Sequence, residues 1–245
     1  PMEVITRAKE VLADNLSVIA AGTQEEEVKG LIKRLVLPGG PRKASLPGAG
    51  IRTESLKAGL INGTAGTFLE LDEGNQFARG HPGVHVVPAA LAIAEEKGLS
   101  GKMLLTALVL GYEISARIGI ASKIRLSMHP HGTWGTVGAA VAVGKLMRYD
   151  ELTMKQIINV SSSLGLATSR RTMLEGGTVR NVYAGASGYM GLLAHDLVQS
   201  GFTGEADGLR TVFGAVVSDT FNPEALTEDL GKRFEIARNY FKRHA

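Results

Sequence analysis

The sequence predicts an all-α fold, one compact multi-helix domain built around helices rich in glycine and alanine. Three observations carry that expectation. Apolar residues recur at three- and four-residue spacing through most of the 245 residues. No stretch of five or more residues alternates in the manner of a strand until 234–241, FEIARNYF. Glycine numbers 31 while aromatic residues make up only 5 %, so the core must be assembled from small and aliphatic side chains.

Taken in order, Val4, Ala8, Val11, Leu12 and Ile19 line one face of a first helix, with Glu3, Arg7 and Glu10 opposite and Gly22 at its end. A second helix carries Val28, Leu31, Ile32 and Leu35 on one side. Glu25–Glu27 complement its positive end, Lys33 and Arg34 its negative end, and Pro38 stops it. Residues 38–50 read as a glycine- and proline-rich loop. Helices are expected near 53–69, 86–97, 101–121, 133–146, 151–168 and 182–194. Three of these, at 53–69, 133–146 and 182–194, are unusually rich in small residues. Glycine costs a helix roughly 1 kcal/mol against alanine, so such runs need a packing reason, and close approach of buried backbones supplies one. Long loops are left at 70–84, 122–132 and 169–181. The helical domain is expected to span 1–233.

Composition excludes several classes of function. Basic and acidic residues are interspersed and the net charge is only +3, which leaves no clustered stripe for nucleic acid. The absence of cysteine rules out disulfides, thiolate metal sites and a cysteine nucleophile. No uninterrupted apolar run approaches the roughly 18 residues of a membrane span, and the first residues do not resemble a signal peptide. The expectation is a cytoplasmic protein with no membrane partner.

Chemistry concentrates in the three loops. LELDEGNQFARGHPGVHVVP (69–88) sets Glu70, Asp72 and Glu73 before His81 and His85. The two histidines have the spacing of a helical zinc pair, but Pro82 and Gly83 lie between them and the HExxH pattern fails. A metal site drawn from His81, His85, His129, His131 and the carboxylates, an acid/base site, and a solvated turn are the three readings. MHPHGTWGTVGAA (128–140) places His129 and His131 just before a helix of small residues, either as a polar start to that helix or as a second proton-transfer loop. SRRTMLEGGTVRN (169–181) puts Arg170, Arg171 and Arg180 around a Gly-Gly turn, where a guanidinium fork suits a carboxylate. A solvated basic loop is the alternative. GAGIRT (48–53) is not a dinucleotide loop, and SSSLG (161–165) is not a nucleophile elbow.

Segments 69–95, 128–147, 175–194 and the terminal YFKRHA together resemble the MmgE/PrpD family, in family order and at family-like spacing. That family includes 2-methylcitrate dehydratase, cis-aconitate decarboxylase and iminodisuccinate epimerase. The resemblance implies a large helical domain bearing most of the active site, a smaller lid domain, homodimerisation, and no metal or organic cofactor. His81 matches the family histidine of the HPxG segment, and His129 the one opening the second loop. Lys242 matches a late family lysine. Arg180 stands where the family has a lysine, and Tyr183 where it has a histidine. In the decarboxylase branch an active-site aspartate is followed four residues later by a threonine; Glu70 and Gly74 occupy those places here. These departures argue against cis-aconitate decarboxylase activity.

The resulting expectation is a cofactor-independent lyase or dehydratase acting on a small di- or tricarboxylic acid by proton abstraction next to a carboxylate. His81 and His129 are the expected acid and base, in either order. Glu70 or Asp72 would orient a histidine, and Arg180, Lys242, Tyr183 and His131 would bind substrate. The alternatives are an epimerase of a dicarboxylate and a non-catalytic helical or dimerisation module. Segment 234–245 is expected to be exposed and to lead into the lid domain. A further family histidine would fall beyond position 245, so the 245-residue form is expected to show little turnover alone.

Overall fold

The computed structural model describes residues 1–244 and is mostly α-helical, as the periodicity predicts. Its helices are α1 (Met2–Gly22), α2 (Glu26–Leu35), α3 (Ser55–Phe68), α4 (Pro82–Glu96), α5 (Gly101–Ala121), α6 (Trp134–Leu146), α7 (Glu151–Ser162), α8 (Arg170–Leu174) and α9 (Val182–Gln199). α6 is the centre of the domain: twelve of its residues are buried, and it packs against α4, α5, α7 and α9. α3 fills the other side of α9 and is covered in turn by α1 and α4.

The small-residue helices are the ones that cross. At the α3–α9 crossing, a Cβ added to Gly63 would lie 2.7 Å from the Cα of Gly185. At the α5–α6 crossing, a Cβ on Gly111 would lie 2.6 Å from the carbonyl oxygen of Gly138. Neither backbone can retreat without opening the core, so the glycines are there to let the helices touch.

Several expected boundaries shift. The loop at 38–50 contains β1 (Ala44–Leu46), paired antiparallel with β2 (Ile51–Thr53). The loop at 122–132 starts as β3 (Ser122–Ile124), which pairs with β4 (Ser218–Phe221). Each strand has three or four residues, too few for an alternating pattern to register in sequence. α4 begins four residues before the expected position 86, because Pro82 occupies the first helical turn. α7 ends at Ser162 instead of 168. Residues 234–241 do not form the expected strand: Glu235–Arg238 is a short 3₁₀ turn.

α5 is long and apolar enough, by length and composition, to cross a membrane. Its apolar faces are nevertheless taken by α4 and α6, and it carries the buried ion pair of Glu113 and Arg117 at 2.7 Å. That pair corrects the expectation of an exposed carboxy-terminal segment. Arg117 donates to the carbonyls of Glu228 (2.7 Å) and Arg233 (3.2 Å), and Glu113 accepts from the Glu235 N–H at 2.7 Å. Glu235 and Ile236 are fully buried, and Gly74 and Tyr240 exchange backbone hydrogen bonds at 2.8 and 3.0 Å. The chain from 225 to 242 is therefore laid along the core. Ala245, the last residue of the expected 234–245 segment, lies outside the described residues.

Candidate active site

Three loops meet at one end of the bundle and enclose a cavity of about 470 Å³. The loop between α3 and α4 is shaped by its own side chains. Asn75 Oδ1 accepts the N–H groups of Phe77 and Ala78, both at 3.0 Å, and Asn75 and Gly80 exchange backbone hydrogen bonds. The turn delivers His81 to the N-cap of α4 and onto the cavity wall.

His81 is held on one ring nitrogen. Its Nδ1 lies 2.7 Å from the carbonyl oxygen of Glu73 and 3.2 Å from Asp72 Oδ2. A carbonyl oxygen can only accept, so Nδ1 carries the hydrogen, and in the neutral ring Nε2 keeps the lone pair. Asp72 is steadied in turn by Lys242, whose Nζ donates to Asp72 Oδ1 at 3.1 Å and to the Glu70 carbonyl at 2.8 Å.

His129 has the opposite arrangement. The backbone N–H of His131 donates to His129 Nδ1 at 3.1 Å, so that nitrogen is the acceptor and Nε2 bears the hydrogen. Burial, with smaller contributions from His81 and Arg170, pushes the His129 ring down to about 4, so the ring is neutral near pH 7. The His131 ring stands edge-on between the two, with centroids 5.1 Å from His81 and 4.8 Å from His129. Burial holds it well below the usual histidine range. A tethered His131 thus keeps the rings of two histidines apart in one cavity.

The other histidine of the opening loop is a core residue. His85 is fully buried between His131 and Trp134, and burial pushes it down to about 3. Among the described residues, no three His, Asp or Glu side chains form a group that could hold a metal ion.

Glu73 lies beneath the cavity, buried completely. Its Oε1 accepts the Gly83 N–H at 2.7 Å and its Oε2 accepts the Tyr112 hydroxyl at 2.8 Å. Burial pushes its carboxyl up to about 8 against the opposing pull of those hydrogen bonds. Gly83 is required by this contact: a Cβ there would lie 2.5 Å from Glu73 Oε1. Glu73 therefore ties the first turn of α4, and with it His81, to α5.

Of the residues anticipated from sequence, Glu70, His81, His129, His131 and Arg180 line the cavity. Asp72 and Lys242 stand behind His81, and Tyr183 packs against His129 at 5.7 Å between ring centroids without lining the cavity. Arg180 is already paired: its two terminal nitrogens hold both carboxylate oxygens of Glu70, Nη2 at 2.9 Å from Oε2. Glu70 adopts a left-handed backbone conformation with φ 57° to make that fork. Arg79 and Trp134, also on the cavity wall, escape the sequence reading. Arg79 had a signal, a charge two residues before His81 in the same turn.

A helical domain with histidine-bearing loops around one arginine-lined cavity defines the class of the chain, and comparison with known proteins supplies the family. The chain belongs to the MmgE/PrpD family: the MmgE/PrpD N-terminal domain matches residues 1–225. The family includes dehydratases and decarboxylases. A cis-aconitate decarboxylase-like protein of Aspergillus oryzae, oryM, is 26 % identical over 265 aligned residues. That alignment covers all of this chain but 55 % of the relative, so the chain spans about half the relative's length.

Proposed function

We propose that this protein is a lyase of the dehydratase type acting on a small di- or tricarboxylic acid, with His81 as the base that removes a proton next to a carboxylate. The observation that carries the proposal is the opposed hydrogen bonding of the two cavity histidines. His81 presents a bare Nε2 backed by Asp72, and His129 presents a protonated Nε2.

In the proposed first step the substrate C–H bond breaks and its proton goes to His81 Nε2. The electron pair moves onto the adjacent carboxylate, giving an aci-carboxylate. The new imidazolium is stabilised by the Asp72 carboxylate, whose Oδ2 lies 3.2 Å from its Nδ1, and Lys242 holds that carboxylate in place. The neutral His129 donates from Nε2 to the developing oxyanion. Elimination then expels the β-hydroxyl as water, the His81 imidazolium supplying the proton and so returning to its neutral form. Delivery of a proton to the opposite face by a second donor would give epimerisation, and both outcomes share the abstraction step. A positioned base of this kind supplies about 10²–10⁴-fold.

The test is exchange of the substrate α-hydrogen in D₂O, followed by proton NMR with a panel running from succinate to citrate. The expected result is deuterium incorporation at the carbon next to a carboxylate in at least one member of the panel, with or without net product. Absence of incorporation by the protein across the panel would contradict the proposal.

A further inference from the structure

The two cations first expected to bind substrate are engaged within the protein. Arg180 is bound to Glu70, and Lys242 to Asp72 and the Glu70 carbonyl. A cavity meant for several carboxylates needs other partners. Four arginines line it, Arg79, Arg125, Arg170 and Arg180, against one carboxylate, Glu70. Arg125 lies 3.9 Å from Asp219. Arg79 and Arg170 have no side-chain hydrogen bond or ion pair among the described residues.

We propose that Arg79 and Arg170 form a clamp on the cavity rim that binds the carboxylates remote from the reacting carbon and so selects polycarboxylates over monocarboxylates. The inference rests on the proton-abstraction reading of the same cavity and adds the residues that set its substrate class.

Two independent features place these side chains for that task. Arg79 sits in the left-handed region, φ 56°, inside the turn closed by Asn75 and Gly80. Glycine or asparagine adopts that conformation readily and arginine does not, so the turn carries a long cation where a small residue would be the more stable choice. Strain held at a cavity wall is a signature of use. Arg170 is anchored differently. Its N–H donates to the Ser127 carbonyl at 2.9 Å, the His129 N–H donates to the Thr168 carbonyl at 2.9 Å, and Met128 and Ser169 form a bridge between these two bonds. This short ladder ties the arginine loop to the histidine loop and sets the Arg170 charge close enough to His129 to disfavour its protonation. Both arginines are exposed, whereas His81 is half-buried and His129 buried, so the arginines meet a ligand before the histidines do.

The test is calorimetric titration of citrate, succinate and acetate into the wild-type protein and into R79G, R170Q, the double variant and R171Q. Arg171 is exposed and pairs with Glu175, so R171Q controls for a change of one unit in net charge. Each clamp variant should weaken citrate binding about tenfold and the double variant about a hundredfold, as expected for charged hydrogen bonds lost at a ligand. Acetate binding should be unchanged, and R79G should unfold at higher urea than wild type because it relieves the turn. In D₂O exchange the clamp variants should raise KM and largely preserve kcat. Citrate binding by the double variant equal to that of wild type and R171Q, with exchange intact, would overturn the clamp and leave the histidine chemistry standing. Failure of wild type to bind any polycarboxylate would overturn both.

Discussion

Replacing His81 by glutamine should abolish α-hydrogen exchange to within the background rate, a loss of about 10²–10⁴-fold, while leaving the helical content unchanged. Glutamine can keep a donor near the Glu73 carbonyl but has no basic nitrogen to offer. The side chain of His81 is 16 % exposed and sits on the cavity wall, so its loss opens no gap in the helical core. Asp72→Asn should give a smaller loss, because the base remains while the charge that stabilises its protonated form is gone. An exchange rate in His81→Gln close to wild type would mean that another group takes the proton.

The largest expected effect on stability is at Glu73. Glu73→Ala strands the Tyr112 hydroxyl and the Gly83 N–H in a sealed site and should cost about 2–5 kcal/mol, read as a lower urea midpoint at unchanged m-value. Glu73→Gln keeps an acceptor and should be far milder. The pH dependence separates the two further. In the folded protein the Glu73 carboxyl holds its proton up to about 8, whereas the unfolded chain releases it near 4.5. Between those values the folded state binds more protons, so the contribution is complete below 4.5 and is lost as pH rises through about 8. His85 and His129 act in the other direction. Their folded values, about 3 and about 4, lie below the ordinary 6.5, so their contribution is present above 6.5 and is lost as pH falls toward 3 to 4. Glu73→Gln should therefore remove the fall in stability between pH 6.5 and 8 and leave the slope below 4.5 in place. An unchanged fall between 6.5 and 8 would show that Glu73 is ionised throughout.

The helices were readable because their periodicity and their glycines report packing that is mostly local to each helix. The runs that hold Gly63, Gly138 and Gly185 could be recognised as close-contact stretches before it was known which backbones they meet; Gly111, in an ordinary apolar helix, could not. The three loops could also be located, since histidine, arginine and acidic residues cluster there against an apolar background. Partnerships were not readable. Whether His81 or His129 keeps a bare Nε2 depends on one carbonyl and one backbone N–H, and neither leaves a mark in residue identity. Arg180 and Lys242 carry charges that suggest substrate, but Glu70 and Asp72 reach them only after 110 and 170 residues of chain have folded back. The packed course of 225–242 was hidden for the same reason. Its anchor, Arg117, sits in the middle of an apolar helix and binds carbonyls that any sequence would provide.

The central claim is that one cavity holds two histidines in opposite tautomers. Long-range nitrogen–proton correlation NMR on histidine-labelled protein measures this directly, with His81→Gln and His129→Gln used to assign the rings. The expected result near pH 7 is a His81 ring protonated on Nδ1 with a basic Nε2, and a neutral His129 ring protonated on Nε2. Finding both rings in the same tautomer, or His129 doubly protonated at that pH, would contradict the account.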